Sequence, residues 1–591
     1  MAAWTVVVGA HDLSSDGFAP IDGAIQVKGL ASPTERKDNL EVLGISGAGV
    51  VGSRFVVDGA ALQDVIDDYG ALRAVDVAKL VRGSLNFVLW ESRERRLSLV
   101  SDPLGGAFIY MWSSVEFSIF SSDLSELVST AKRIGVTIGK SLRYLASVLV
   151  TGNGGFYPSS FEGVEVMPQY SYGQLTGDKF EIKRIPEPSY AQSYEEQIHN
   201  IAAEIGNNVA ASSNYTSAEK IVHLTGGFDS RLVLAALLDS DLQDTFEYFC
   251  SGPSATPDRM IHDCLVGEFG LVATSSPGFD SEISFDSHRS ATLASMRWGD
   301  GMLSNPPGLG IVPKPGGSVI LSGGYGEILR SFYGTETASL VDGPRDDLLK
   351  KAWGLQAFGA SGQRLLSENL HDDLRGRISK EIESRLSAGI REDAVMDNIY
   401  LSIRNRYFVG QISSLVSRRT PRFDPLYSIN ASGLVMNIPV LERASNIVGF
   451  DVMDRFSPGL KSYPFDRNRF NEIYENLRGK PKALDFSQNA KVSRSATISN
   501  SSSNDDSYSL NVTQEHIQKA NRLRASVRQV ALIEPVQAEL RELVAGIGRR
   551  RISEHFDYVA ISRLISTDLN HRVHVRRCHA LYALLLWFYE G

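Results

Sequence analysis

The amino-acid sequence predicts an α/β protein: a β-rich first part, then a parallel sheet with helices on both faces, and a helical C-terminal part. Three observations predict it. Short apolar runs separated by turns fill residues 1 to about 185. From Ile221 onward, strand-like and helix-like segments alternate, which is the pattern of parallel β–α units. Residues 347–415 and 512–591 carry helical spacing.

A chain of 591 residues exceeds one ordinary core, so two or more domains are expected. The two prolines of Arg184-Ile-Pro-Glu-Pro-Ser189 mark a linker, giving domains at 1–185 and 190–591. The composition, 43% hydrophobic and 22% charged, is that of a soluble globular protein. A net charge of -9 gives no basic footprint for nucleic acid. Cys250, Cys264 and Cys578 form neither a disulfide framework nor a metal-ligand spacing, which fits a cytoplasmic protein. Met1–Ala10 lacks the features of a signal peptide, and the apolar stretch 580–589 is too short to span a bilayer, so no membrane residence is expected.

In chain order, Trp4–Val8 reads as a strand and 60–81 as helical. Runs at 85–90, 96–100, 108–112 and 116–120 have strand character, with Asp102-Pro-Leu-Gly-Gly106 as a turn. Tyr194–Ala211 reads as a helix leading to a buried strand, Ile221–Leu224. That strand runs into Thr225-Gly226-Gly227-Phe228-Asp229-Ser230 and then an Ala/Leu-rich helix. The glycines permit a sharp turn, the helix directs its positive end at the same spot, and Thr225 and Ser230 add hydroxyls. Asp229 can hold the Mg²⁺ that accompanies polyphosphate. A phosphate cradle is therefore expected, with a tight packing corner as the plain alternative. Strands at 246–250, 271–274 and 318–321 follow, with a helix from Pro257 to Gly267.

The cradle resembles the Ser-Gly-Gly-x-Asp-Ser pyrophosphate loop of the ATP pyrophosphatases, with Thr225 for the first serine. Gly83-Ser-Leu-Asn-Phe-Val-Leu-Trp90, Leu97–Gly105, Phe108-Ile-Tyr110 and Ser121-Ser122 resemble the glutaminase domain of class II amidotransferases. That resemblance implies an N-terminal αββα sandwich of the N-terminal-nucleophile (Ntn) type. The family exposes a cysteine after loss of Met1; Ala2 stands there, so glutamine hydrolysis is not expected.

Leu321-Ser-Gly-Gly-Tyr-Gly-Glu327 resembles a glycine-rich segment of asparagine synthetases and β-lactam synthetases. Glu327 then takes the place of a second magnesium ligand, and Tyr325 that of a base, although an ordinary packed tyrosine stays open. Gly324 falls where asparagine synthetases carry an acid–base glutamate. Together with these families, the lasso-peptide macrolactam cyclases share the organisation. The resemblance implies ATP and Mg²⁺ as cofactors, with Asp229 and Glu327 on the metal. Nucleotide contacts are expected from Leu224, Thr225, Gly226, Gly227, Asp229, Ser230, Gly323 and Gly324. Ser251 and Gly252 are placed on the adenine side, or else form a plain strand-to-turn transition. A lysine is expected to close the site: Lys461 is the chosen candidate, with Lys480, Lys482 and Lys491 left open. The arginines of 418–422 are a further anion-binding candidate, or a surface turn. The polar segment 484–511 reads as a mobile loop, either a lid or an insertion.

The implied function is adenylation of a small-molecule or peptide carboxylate, with release of pyrophosphate, followed by condensation with an amine. A peptide-presenting protein or a partner protease is expected if the chain acts as a lasso cyclase. Two alternatives stand: an asparagine synthetase-like enzyme using free or partner-supplied ammonia, and a catalytically silent nucleotide-binding scaffold.

Overall fold

The structure is a computed structural model describing residues 3–9, 13–22, 24–29, 40–70, 73–187, 193–252, 254, 256–281, 285–306, 311–336, 352, 365–487 and 510–591. It is an α/β protein with antiparallel sheets, a parallel sheet and a helical C-terminal part.

Residues 5–184 build two six-stranded antiparallel sheets. The first contains Thr5–Val8 between Ile25–Lys28 and Ser118–Ser121; the second centres on Leu40–Val51, Val81–Glu91 and Arg96–Ser101. Strand alternation sends side chains to opposite faces. Val88 and Trp90 join Val6, Val8 and Phe120 in a core between the sheets. Phe87 and Leu89 instead meet Leu62, Val65 and Ile66 of helix Gly59–Tyr69 on the outer face. Val7 and Ile119 of the first sheet pack outward against helices Leu124–Arg133 and Leu142–Thr151.

The expected strands at 108–112 and 116–120 lie at Tyr110–Ser113 and Ser118–Ser121. The twelve-residue strand Leu40–Val51 was not anticipated, nor were those at 19–22, 25–28, 171–176 and 179–184.

The parallel sheet has five strands, in the spatial order Val272–Ala273, Glu247–Phe249, Glu219–His223, Ser318–Leu321, Arg422–Phe423. From Glu219–His223 the chain first builds outward on one side, then returns to build on the other. Val222, Leu224, Val319 and Leu321 are covered by helices Tyr194–Ser213, Phe228–Asp239 and Ile447–Phe456. On the opposite face Ile320 packs with Val416 and Phe279.

The helical pattern at 347–415 is seen at Glu368–Ser387 and Val395–Ser417, where Leu401–Gly410 is wound as a π-helix. In the C-terminal part, Ile533–Ile547 and Arg572–Glu590 pack into the cluster that also holds Leu145 and Leu149. Most of the polar segment 484–511, with Lys491, lies outside the described residues. No helix among the described residues is long and apolar enough to cross a membrane.

Candidate functional site

The strand Glu219–His223 ends at buried Leu224, whose carbonyl accepts from His262 Nδ1 at 3.1 Å. Burial, aided by nearby Arg259, lowers the His262 pKa to about 4, so a neutral ring lies beneath the loop. The Thr225 N–H donates to Ser230 Oγ at 3.0 Å, and the Gly227 N–H donates to Thr225 Oγ1 at 3.2 Å. Gly227 is the N-cap of helix Phe228–Asp239, and having no side chain it supplies no capping bond. The first helical turn leaves N–H groups without an intrahelical acceptor at this spot. The hydroxyls of Thr225 and Ser230 lie 3.1 Å apart and lock the loop.

Residues that sequence reasoning passed over frame this loop. The Gly226 N–H donates to Asp258 Oδ1 at 3.1 Å. The Gly226 carbonyl accepts the Asp466 N–H at 3.0 Å, which ties the segment 463–466 over the loop. Arg231 fixes the same segment by donating to the Tyr463 and Pro464 carbonyls at 2.8 and 2.5 Å. Arg469, held on Asp466 Oδ1 at 2.5 Å, lies alongside Gly227.

The second glycine-rich turn closes directly on the first. A Cβ on Gly323 would lie 2.9 Å from the Ser230 nitrogen, and one on Gly326 would lie 2.1 Å from Asp229 Oδ1. Gly324 faces the buried Asp424 carboxylate, which accepts its N–H at 3.2 Å. Only glycine lets these backbones approach so closely.

Asp229 and Glu327 are brought together, with Arg330 between them. Arg330 donates to Asp229 Oδ1 at 2.5 Å and Oδ2 at 2.9 Å, and its Nη2 lies 3.8 Å from Glu327 Oε1. Burial and then the Asp229 charge raise the Glu327 pKa, against the pull of Arg330. Burial opposes the Arg330 charge, yet Asp229 and Glu327 hold its pKa above the ordinary arginine value. Magnesium on Asp229 does not fit this arrangement. Both carboxylate oxygens are engaged by a guanidinium, whose charge repels a divalent ion. Where Asp229 and Glu327 are expected to hold a metal, the structure sets the Arg330 guanidinium against both carboxylates.

Tyr325 is placed as in the packed alternative. Its backbone is left-handed, with φ of 65°, and its side chain is fully buried. The hydroxyl lies 3.4 Å from Ser84 Oγ in the antiparallel half, and the ring lies 4.9 Å from that of Tyr427. Burial raises its pKa well above the ordinary phenol value. Lys461 pairs with Asp454 and donates to the Tyr474 hydroxyl at 3.2 Å. Lys480 and Lys482 are exposed.

Ser251 and Gly252 are exposed at the end of the neighbouring strand, and Gly252 has φ of 97°. Of the arginines at 418–422, Arg422 reaches the second turn, donating to Ser322 Oγ at 3.0 Å. Arg418 pairs instead with Asp123 and Asp300, at 3.2 and 3.5 Å.

No family model matches the chain, and no curated protein matches it. Among solved structures it is similar to a glutamine phosphoribosylpyrophosphate amidotransferase from B. subtilis complexed with ADP and GMP. That likeness is 8% identical, covers 57% of this chain and 71% of that one, and has a TM-score of 0.18. An allosteric regulatory enzyme of purine biosynthesis is 9% identical over the same shares, also with a TM-score of 0.18. At that TM-score neither likeness carries an argument about this chain.

Proposed function

We propose that the protein is an ATP-dependent ligase that adenylates a substrate carboxylate and condenses it with an amine. One observation carries the reading. The loop Thr225–Ser230 and the turn Ser322–Glu327 leave the two adjacent parallel strands between which the order of the sheet reverses. Ligands of open parallel sheets bind outside the carboxyl ends of the strands at such a switch point. The helix N-terminus there favours a polyphosphate.

In this reading a carboxylate oxygen attacks the α-phosphorus, the α–β bridging bond breaks, and pyrophosphate leaves with the electron pair. The amine then attacks the acyl carbon, AMP departs, and the amine loses a proton. The helix turn and the hydroxyls of Thr225 and Ser230 face the charge that grows on the leaving phosphates. The substrates are a small-molecule or peptide acid and an amine, with ring closure of a single substrate included. The antiparallel half is read as an Ntn-type, glutaminase-like sandwich kept for its shape.

ATP–pyrophosphate exchange with pooled carboxylic acids tests the reading in wild type and Asp229→Ala. Exchange that requires an acid and disappears in the variant is expected. Nucleotide binding without exchange would sink the ligase and leave a nucleotide-binding scaffold. The Arg330 fork on Asp229 favours that second reading, because it occupies the carboxylate expected to bind metal.

A further inference from the structure

Arg330 follows Glu327 by three residues, at the end of the short 3₁₀ turn Gly326–Leu329. Its side chain is 19% exposed, so a lone cation here would be poorly solvated. The fold answers with two carboxylates and with the Gly326 carbonyl, which accepts from Nη1 at 3.3 Å. Asp229 and Gly326 together take three of the five guanidinium N–H donors, so donors remain for a further acceptor. The Phe228 ring lies 5.5 Å away and backs the group. Phe228 and Asp229 are the first two residues of the loop helix. The guanidinium is thus fixed beside the helix turn whose first N–H groups lack an intrahelical acceptor.

We propose that Arg330, oriented by Asp229, is a built-in cation for the polyphosphate of a nucleotide, standing where a carboxylate-bound metal would otherwise sit. This rests on the nucleotide reading given above. It assigns Asp229 a positioning role: its two oxygens aim the guanidinium, and no metal binds there. A guanidinium suits the task because its planar fork can grip a carboxylate on one edge and phosphate oxygens on another. A lysine at the same place would keep the charge and lose the fork.

Two measurements on the full chain test this. In the first, Mn²⁺ is titrated into nucleotide-free protein and the free ion is followed by electron paramagnetic resonance. Wild type is expected to bind none at Asp229 up to about 1 mM. Arg330→Met, which frees Asp229 and Glu327, is expected to gain a site. Stoichiometric Mn²⁺ binding by wild type that is lost in Asp229→Asn would overturn the proposal, and this arm needs no folded Arg330 variant.

In the second, ATP binding is measured by calorimetry in EDTA and in Mg²⁺. Wild type is expected to bind metal-free ATP within about threefold of MgATP. Arg330→Met and Arg330→Lys should weaken metal-free binding by roughly tenfold or more, as for a lost charged hydrogen bond. Binding that requires Mg²⁺ and ignores Arg330 would overturn the proposal while leaving the nucleotide reading intact. Binding of neither form by wild type would overturn both.

Discussion

The Tyr427 hydroxyl donates to Asp102 Oδ1 at 2.8 Å and accepts the Leu104 N–H at 2.9 Å. One side chain of the parallel-sheet half thereby completes a turn of the antiparallel half. The Asp102 carboxylate also accepts the Gly106 and Ala107 N–H groups, at 3.1 and 2.8 Å. All of these groups are buried, so every bond made there replaces one to water.

Tyr427→Phe keeps the ring and leaves the Leu104 N–H without its acceptor. The expected loss of stability is about 1–3 kcal/mol, the cost of an orphaned buried donor. Urea unfolding reads it as a lower midpoint at unchanged slope. An unchanged midpoint would show that this bond does not join the halves.

Asp102 also gives a pH dependence. Burial pushes its carboxyl up from 3.8 to about 6, against the pull of the Ala107 and Gly106 N–H groups and the Tyr427 hydroxyl. The fold therefore holds a proton that the unfolded chain has released. Between 3.8 and about 6 the native state binds more protons, so this group's contribution to stability falls as pH rises through that window. Asp102→Asn cannot titrate, and its melting temperature should fall less steeply than that of wild type over the window. Equal slopes would remove Asp102 as the source.

Gly326→Ala places a methyl 2.1 Å from Asp229 Oδ1, so the carboxylate must move off Arg330. A stability loss of about 1–3 kcal/mol is expected from overpacking. Nucleotide affinity should drop roughly tenfold or more with it. Gly376→Ala, in the open face of helix Glu368–Ser387, is the control and should be neutral or stabilising by up to ~1 kcal/mol. Retained affinity in Gly326→Ala would show that the fork does not hold the site.

Lys461→Met removes the contacts to Asp454 and Tyr474. Because its ammonium is already taken up by these two partners, pyrophosphate exchange should stay within about twofold, with a stability change of at most ~1 kcal/mol. Loss of exchange in a folded variant would return Lys461 to the chemistry.

The strand and helix around the loop were legible because local signals agree there: a β-branched run, two glycines, then Ala and Leu. The strand Leu40–Val51 was not, since its glycines imitate a turn. Gly47 is there because a Cβ would lie 2.0 Å from the Ser84 carbonyl oxygen of the paired strand, a contact that local sequence does not carry. Arg330 was hidden for a similar reason. Its partner Asp229 lies 101 residues earlier, and only the sheet order brings the two together. At Tyr325 the sequence left two readings open because its neighbours resemble a catalytic segment, whereas its side chain answers to packing across the two halves.

That packing has its own consequence. Tyr325 belongs to the turn beside Asp229, yet its ring is inserted against Ser84 and Gly106, near Tyr427; Phe423 meets Gly83 in the same way. The antiparallel half thus acts as a mould in which the second turn is cast. A fragment stripped of it would expose the rings of Tyr325, Phe423 and Tyr427 to water and release the left-handed backbone at Tyr325. The grip of Arg330 on Asp229 would then loosen although none of its own atoms had been removed.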